Sequence, residues 1–475
     1  MNRFRALVIG LLLIGAPVLA SIAGFPAVNL LHGIVAKDSL PPIDRSKLKI
    51  TLRRSACYGS CPDYIVTISG DGSVVFSTRE DPVDPVAGVH REFSRSRGVL
   101  VPGTHRTKIS PEEVDALVDR FRQTRFFELK DEYRYEATDA PTYVVSIDTG
   151  RGAKRVIDYI GTKAGMPKAV TSLEDAIDTA AGSRRWIEGT PEVIPLLQTE
   201  GFVFNGPIGL DLMAKAAERG DVNTMARLHS LGSPIVGDPA DGPLFAAASA
   251  NQVSALSWLL DHGGSASPKV LTEAFAGAVG SDGEAAFDRL RSLVGANLLT
   301  PDFATQLLRL AAGNGNVRMA SYFLQFHPRL TGSESDGMAE PPLWAAAQSV
   351  CPKEGSHPNC DHREVVRMLL GAGSNPRWFH PVYRNSVLFL VSDPQIARML
   401  LAGGADPNFK DTEGEPIIFS ISDEDVALVM IEAGLDLHSV RPADKMTMRG
   451  WATYEKWPRV MAKLDAAHVL KSHED

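Results

Sequence analysis

No block of basic residues stands anywhere in this chain. Its 49 lysines and arginines are outnumbered by 57 aspartates and glutamates, for a formal net charge of −8. Phosphate backbones are held by concentrated basic charge, so a nucleic-acid partner is not expected. The densest basic stretch, Arg91, Arg95, Arg97 and Arg106, reads as the solvated face of a loop. Spacing yields no nucleophile–base pair, metal triad or phosphate-binding loop, so the chain is not expected to be an enzyme and no cofactor is implied. With 44% apolar and 22% charged residues the composition argues against disorder. A length of 475 residues leaves room for two or three domains.

Cysteine is equally scarce. The chain has 4, in two close pairs, Cys57/Cys61 and Cys351/Cys360. What they do depends on the compartment. Arg3 and Arg5 precede an apolar stretch, ALVIGLLLIGAPVLASIAGF, at residues 6–25. A basic head, an apolar middle and small residues around Val18-Leu19-Ala20 fit a secretory signal cleaved after Ala20. The same stretch is about long enough to span a bilayer uncleaved. Residues 1–25 are therefore expected to be a signal peptide or an N-terminal membrane anchor. No cysteine follows Ala20, so lipid attachment there is not expected.

Exported thiols oxidise, and the simplest arithmetic joins the members of each close pair. A five-residue ring at Cys57–Cys61 would constrain the unfolded chain by about 2 kcal/mol and fix a local turn, with Gly59 supplying the unusual dihedrals. Thioredoxin-like motifs leave two residues between their cysteines, where this pair leaves three. His90 and His105, the nearest histidines, match no zinc-finger spacing.

Between residues 47 and 188 the hydrophobic period changes repeatedly. Tyr64–Ser69 and Ser73–Thr78 alternate around Gly70-Asp71-Gly72, a hairpin signal. A further strand is expected near Val89–Phe93. Ser110-Pro111-Glu112-Glu113 carries an N-cap, a first-turn proline and a capping-box glutamate. Val114, Leu117, Val118 and Phe121 then line one helical face. Thr142–Asp148 and Lys154–Ile160 predict a second hairpin, and Val170, Leu173, Ile177 and Ala180 a second helix. The order implies an α+β domain, an antiparallel sheet with two helices. Its polar candidates are Asp63, Tyr64, Asp71, Asp131, Tyr133, Thr138 and Asp139. Asp131, Tyr133 and Asp139 are the ones that could line a small ligand site.

The segments CYGSCPDYIVTISGDGSVVF, FFELKDEY at 126–133 and TDAPTYVVSI at 138–147 resemble a family of bacterial exported proteins known as a domain of unknown function. The resemblance implies a fold and an envelope location, and no activity. The expected location is the bacterial periplasm, either soluble or tethered to the inner membrane through residues 6–25.

From about residue 205 to 470 the sequence resembles itself. Leu228, Leu260, Leu293, Leu324, Leu370, Leu401 and Ile431 stand 32, 33, 31, 46, 31 and 30 residues apart. Ala-Ala recurs at 216–217, 247–248, 311–312 and 346–347, where small residues let paired helices approach. Gly232, Gly263, Gly373, Gly404 and Gly434 suit left-handed helix caps. The segments AAERGDVNTMARLHSLGSP, LFAAASANQVSALSWLLDHGG and IARMLLAGGADPN resemble the ankyrin repeat family. The resemblance implies an all-α solenoid of about seven units plus a capping helix. The family's Thr-Pro-Leu-His signature is degraded to Gly242-Pro243-Leu244-Phe245, Pro341-Pro342-Leu343-Trp344 and Glu415-Pro416-Ile417-Ile418.

The single long spacing has a visible cause. Residues 349–363, SVCPKEGSHPNCDHR, are expected as an insertion between two helices of one unit. Cys351 and Cys360 would staple it. Alternatively Cys351, His357, Cys360 and His362 could ligate zinc. The expected function is an exported adaptor that holds a protein partner on its repeats, with Trp344, His357, Trp378 and Phe379 as candidate contacts. The alternative is a small-ligand or metal receptor, or a weak enzyme, built on the N-terminal domain.

Overall fold

A computed structural model describes residues 40–78, 98–265, 267–295, 297–331, 340–348, 350–351, 359–380, 382, 384–389 and 391–469. The expected leader, the strand near Val89–Phe93 and His357 lie outside the described residues.

Alternating apolar positions build the N-terminal sheet. Its strands are β1 (Lys49–Arg54), β2 (Tyr64–Ser69), β3 (Ser73–Thr78), β4 (Thr104–Lys108), β5 (Glu132–Arg134), β6 (Tyr143–Asp148) and β7 (Ala153–Tyr159), in the order β4-β3-β2-β1-β6-β7-β5. Ile50, Leu52, Val66, Ile68, Val74, Phe76, Val145, Ile147 and Val156 all point to the buried face. Both expected hairpins, β2–β3 and β6–β7, are present and antiparallel. Strands β1, β4 and β5 escaped the pattern because they are charged or short: KITLRR, THRTK and EYR. The sheet is also not wholly antiparallel. β5 runs parallel to β7, since it is entered from a helix rather than a hairpin turn.

Helices α1 (Pro111–Gln123) and α2 (Lys168–Ala181) complete the domain. The α1 capping box forms as expected: Glu113 N–H donates to Ser110 Oγ, and Ser110 N–H to the Glu113 carboxylate. Its buried residues are the expected four, Val114, Leu117, Val118 and Phe121. On α2 the buried set is Val170, Leu173, Glu174, Ile177 and Ala181, while the expected Ala180 is only partly covered.

Residues 189–205 join the two regions with ordered structure. Helices α3 (Arg184–Glu188) and α4 (Val193–Thr199) carry the core without a break into the helical region. Trp186 is buried, and its carbonyl accepts from Val101 N–H at 2.9 Å. Arg219, capping the first repeat helix, donates to Gly189 O at 3.0 Å, and Arg227 donates to Gln198 Oε1 at 2.7 Å.

The C-terminal region is a stack of helix pairs. The pairs are α5 (Pro207–Glu218) with α6 (Val222–Ser230), α7 (Pro243–Ser249) with α8 (Val253–Asp261), and α9 (Pro268–Gly280) with α10 (Glu284–Arg291). They continue with α11 (Pro301–Gly313) and α12 (Val317–Leu324), then α13 (Pro342–Gln348) and α14 (His362–Gly371). Buried alanines, among them Ala216, Ala247, Ala311 and Ala346 at 0% exposure, let the first helices of neighbouring units pack closely. Two units then lose most of their first helix: only turns around Val387 and a 3₁₀ turn at Ile417–Ser420 precede α15 (Pro394–Ala402) and α16 (Glu424–Glu432). The pair α17 (Met448–Tyr454) and α18 (Pro458–Ala466) closes the stack.

The register differs in detail from the leucine series. Leu293 lies beyond the end of α10 and is 42% exposed. The residues buried at that level are Leu228, Leu259, Leu290, Phe323, Leu369, Leu400 and Met430. The recurring glycines behave as expected: Gly232, Gly263, Gly373, Gly404 and Gly434 have φ between 87° and 103°.

Candidate functional site

Polar side chains that terminate the second helices build the insertion face. Asn316 caps α12, its Oδ1 accepting from Met319 N–H at 2.8 Å. Although wholly buried, Asn316 also donates to Glu284 Oε1 at 2.8 Å and to Asp282 Oδ1. The end of the insertion docks on this corner. Asp361 N–H donates to Gly315 O at 2.8 Å, Cys360 forms a bridge with Asn316, and Asn359 Nδ2 donates to Glu284 Oε1 at 3.0 Å. The Cys351–Cys360 disulfide is formed, as is Cys57–Cys61, with Gly59 at φ 142°.

Beside this corner lies a groove of about 740 Å³ over α10 and α12, bounded by Arg291, Arg318, Tyr322, Gln325, Asn359 and Asp361. Its charges are largely matched. Arg318 reaches Glu284 Oε2 at 2.5 Å and Asp288 Oδ1 at 2.8 Å, and Arg291 reaches Asp288 at 3.1 Å. Burial pushes the Tyr322 hydroxyl above its ordinary range.

The opposite ends of the helices carry short fingers, which join one unit's second helix to the next unit. Isolated bridges close three of them, Phe379 with Ser386, Lys410 with Pro416, and Val440 with Thr447. Their turns place Arg384, Gly414 and Lys445 at φ 51°, 79° and 63°. Just before each finger an Asn or Asp side chain accepts from the backbone two residues on: Asn375 from Arg377, Asp406 from Asn408, Asp436 from His438, each at 2.9 Å. Arg377 Nε then donates to Gly404 O and Asn408 Nδ2 to Gly434 O, tying the first two fingers to the following unit. The finger edge exposes Phe379, Val382 and Val440 at 40%, 56% and 42%.

The expected contact residues divide between core and surface. Trp344 is buried, packing edge-on to Trp378 at 5.3 Å and parallel to Phe389 at 6.4 Å. Trp378 is half-buried over it. Phe379 projects outward, with the Arg384 guanidinium 4.8 Å above its ring.

The N-terminal ligand set does not assemble. Asp131 pairs with Lys154 at one end of β7. Asp139, at φ 66°, belongs to the loop at the other end, where Tyr159 donates to Ala137 O and accepts from Ala140 N–H. The register sets Asp131 beside Val156, about 10 Å along the strand from Tyr159. Tyr133 is buried with its hydroxyl turned to Lys130 N–H. What composition did not signal is a charged cluster under α2. Tyr64 donates to Asp178 at 2.8 Å, and Arg54 Nε pairs with the same carboxylate at 2.8 Å. Burial, then the neighbouring Asp178, pushes the Tyr64 hydroxyl upward. Glu174 is 1% exposed, its Oε1 has no hydrogen-bond partner among the described residues, and burial followed by the nearby Asp158 raises its pKa to about 8.

Comparison with known proteins bears on both halves. A family model described as Domain of unknown function (DUF6438) matches residues 48–181, the sheet domain. The curated proteins gave no match. Among solved structures, the human ASB11 ankyrin repeat domain is similar over 47% of this chain and 98% of that one, at 14% identity and a TM-score of 0.34.

Proposed function

We propose that this protein is an exported adaptor of the cell envelope that binds a protein partner along the finger edge of its repeats and performs no catalysis. The observation that carries the reading is the phasing of the three fingers. Each is fixed by the same side-chain turn, two of the three are linked to the next unit, and together they present apolar residues to solvent on the stack. Extended repeat surfaces of this type suit recognition of another chain. The basic head and apolar stretch before residue 25 and the two disulfides support an oxidising location outside the cytoplasm. In this reading the sheet domain, continuous in core with the repeats, sets their orientation relative to the envelope.

The test is cross-linking and affinity capture from envelope extracts, comparing the native chain with a Phe379→Asp/Val440→Asp variant. A stoichiometric protein held by the native chain and lost by the variant supports the assignment. Capture unaffected by the variant, or none at all, overturns it.

A further inference from the structure

Two of the chain's cysteines share their corner with a buried histidine. Sulfur atoms of Cys351 and Cys360 and a ring nitrogen of His362 lie within 4.8 Å of one another. We propose that Cys351, Cys360 and His362 form a redox-gated site for a thiophilic divalent cation of the zinc class, closed while the cysteines are joined and opened by their reduction.

The backbone supplies the preorganisation. Cys360 is held by its bridge to Asn316, and Asp361 by its bond to Gly315 O. His362 begins α14 directly after them. Two ligands are thus positioned without help from the disulfide. His362 is 5% exposed, with the Ala346 and Ala312 backbone beside its ring. Gly315 keeps the space clear: a Cβ there would stand 2.8 Å from Cys360 Sγ and 3.0 Å from His362 Nε2. Tetrahedral zinc, with about 2.3 Å to sulfur and about 2.0–2.1 Å to nitrogen, needs the two sulfurs farther apart than the disulfide bond holds them, so reduction must come first. Cys351 is exposed, while Cys360 and His362 are held at the corner.

The chemistry balances with a dithiol reductant. Its thiolate attacks one disulfide sulfur, and the resulting mixed disulfide is resolved by its second thiol. The reductant leaves as a cyclic disulfide, and Cys351 and Cys360 are left as thiols. Metal binding displaces both thiol protons to solvent, and the two thiolates neutralise the dication. Three protein ligands leave a fourth position for water or for a donor from outside.

The experiment uses the full chain with Cys57→Ser and Cys61→Ser, so that one pair remains. It is reduced with a phosphine, freed of reductant without air, and titrated with cobalt and then zinc against a chromogenic chelator. The expected result is one equivalent bound, a thiolate-to-cobalt charge-transfer band with tetrahedral ligand-field bands, and displacement of cobalt by zinc. The oxidised chain should take up none. His362→Asn should weaken zinc binding roughly 10–100-fold or more and change the cobalt spectrum. Should that variant fold poorly in its oxidised form, Cys351→Ser alone must weaken binding and remove part of the charge-transfer intensity. No stoichiometric uptake by the reduced chain, equal uptake by the oxidised chain, or an unchanged spectrum in the His362 variant would overturn the proposal.

Discussion

The imidazole of His105 lies flat on the indole of Trp186, with ring centroids 3.8 Å apart and planes 4° from parallel. His105 Nδ1 meets Glu200 Oε2 at 2.9 Å, and its Nε2 meets Val101 O at 3.2 Å. One side chain of strand β4 thereby joins the sheet, α3 and the segment after α4. Replacing it with alanine removes the stack and leaves Val101 O short of a donor. His105→Ala is expected to cost roughly 2 kcal/mol and to split unfolding into separate sheet and repeat transitions. Chemical denaturation followed by tryptophan fluorescence and by far-ultraviolet circular dichroism checks this. Coincident transitions with an unshifted midpoint would contradict it.

Glu174 gives the sheet domain a pH dependence of definite sign. Its folded pKa, pushed up to about 8 by burial and then by Asp158, lies above the ordinary value of 4.5. The folded state therefore holds the proton more tightly than the unfolded chain. The stabilisation is complete below about pH 4.5 and is lost as pH rises through about 8. Glu174→Gln removes the titration. It should match the native chain in mild acid and exceed it by on the order of a few kcal/mol at alkaline pH. Urea midpoints across that range decide the point; parallel profiles for the two proteins would rule it out.

Asn316 caps one helix while reaching Asp282 and Glu284 in the preceding unit. Asn316→Ala removes the cap and leaves two carboxylates without their shared amide. A loss of roughly 2–4 kcal/mol is expected. Because neighbouring units stabilise one another in a stack, hydrogen exchange should rise in both α10 and α12. Exchange raised in α12 alone would show that the link between units carries little.

Each disulfide is expected to contribute through its ring size. Removing Cys351–Cys360, whose ends stand 9 positions apart, should cost about 2.7 kcal/mol on the chain-entropy relation, and removing Cys57–Cys61, 4 positions apart, about 2 kcal/mol. Paired serine variants compared in guanidinium test the order. Alkylation of all 4 cysteines in freshly isolated native protein would remove its premise.

Much of the fold is legible in the sequence because it is set by local periods. The alternation in Tyr64–Ser69, the capping box at Ser110 and the face Val114-Leu117-Val118-Phe121 each specify an element through neighbouring residues alone. The recurrence at 30 to 33 residues, the one spacing of 46 aside, the Ala-Ala pairs and the terminal glycines specify stacked helices in the same way. The pairing of each close set of cysteines was equally readable, since short loops leave little choice.

The rest depends on contacts between distant residues. Strand β5 carries three residues and no apolar alternation, and only β7 beside it makes it a strand. Leu293 has the right spacing for a core position but falls past its helix end, where burial stops. Asp131 and Asp139 stand close in sequence, but one pairs with Lys154 beside β7 and the other lies in the loop past that strand's end. Glu174 looks like any surface acid of a helix until α2 is laid on the sheet. His362, separated from Gly315 by 47 positions, meets it only once the insertion folds back. Sequence period determines which segments are helices, strands and fingers, because that is a matter of adjacent residues. Which charges are buried and which ligands converge was decided by the tertiary structure, because only packing sets the distance between remote side chains.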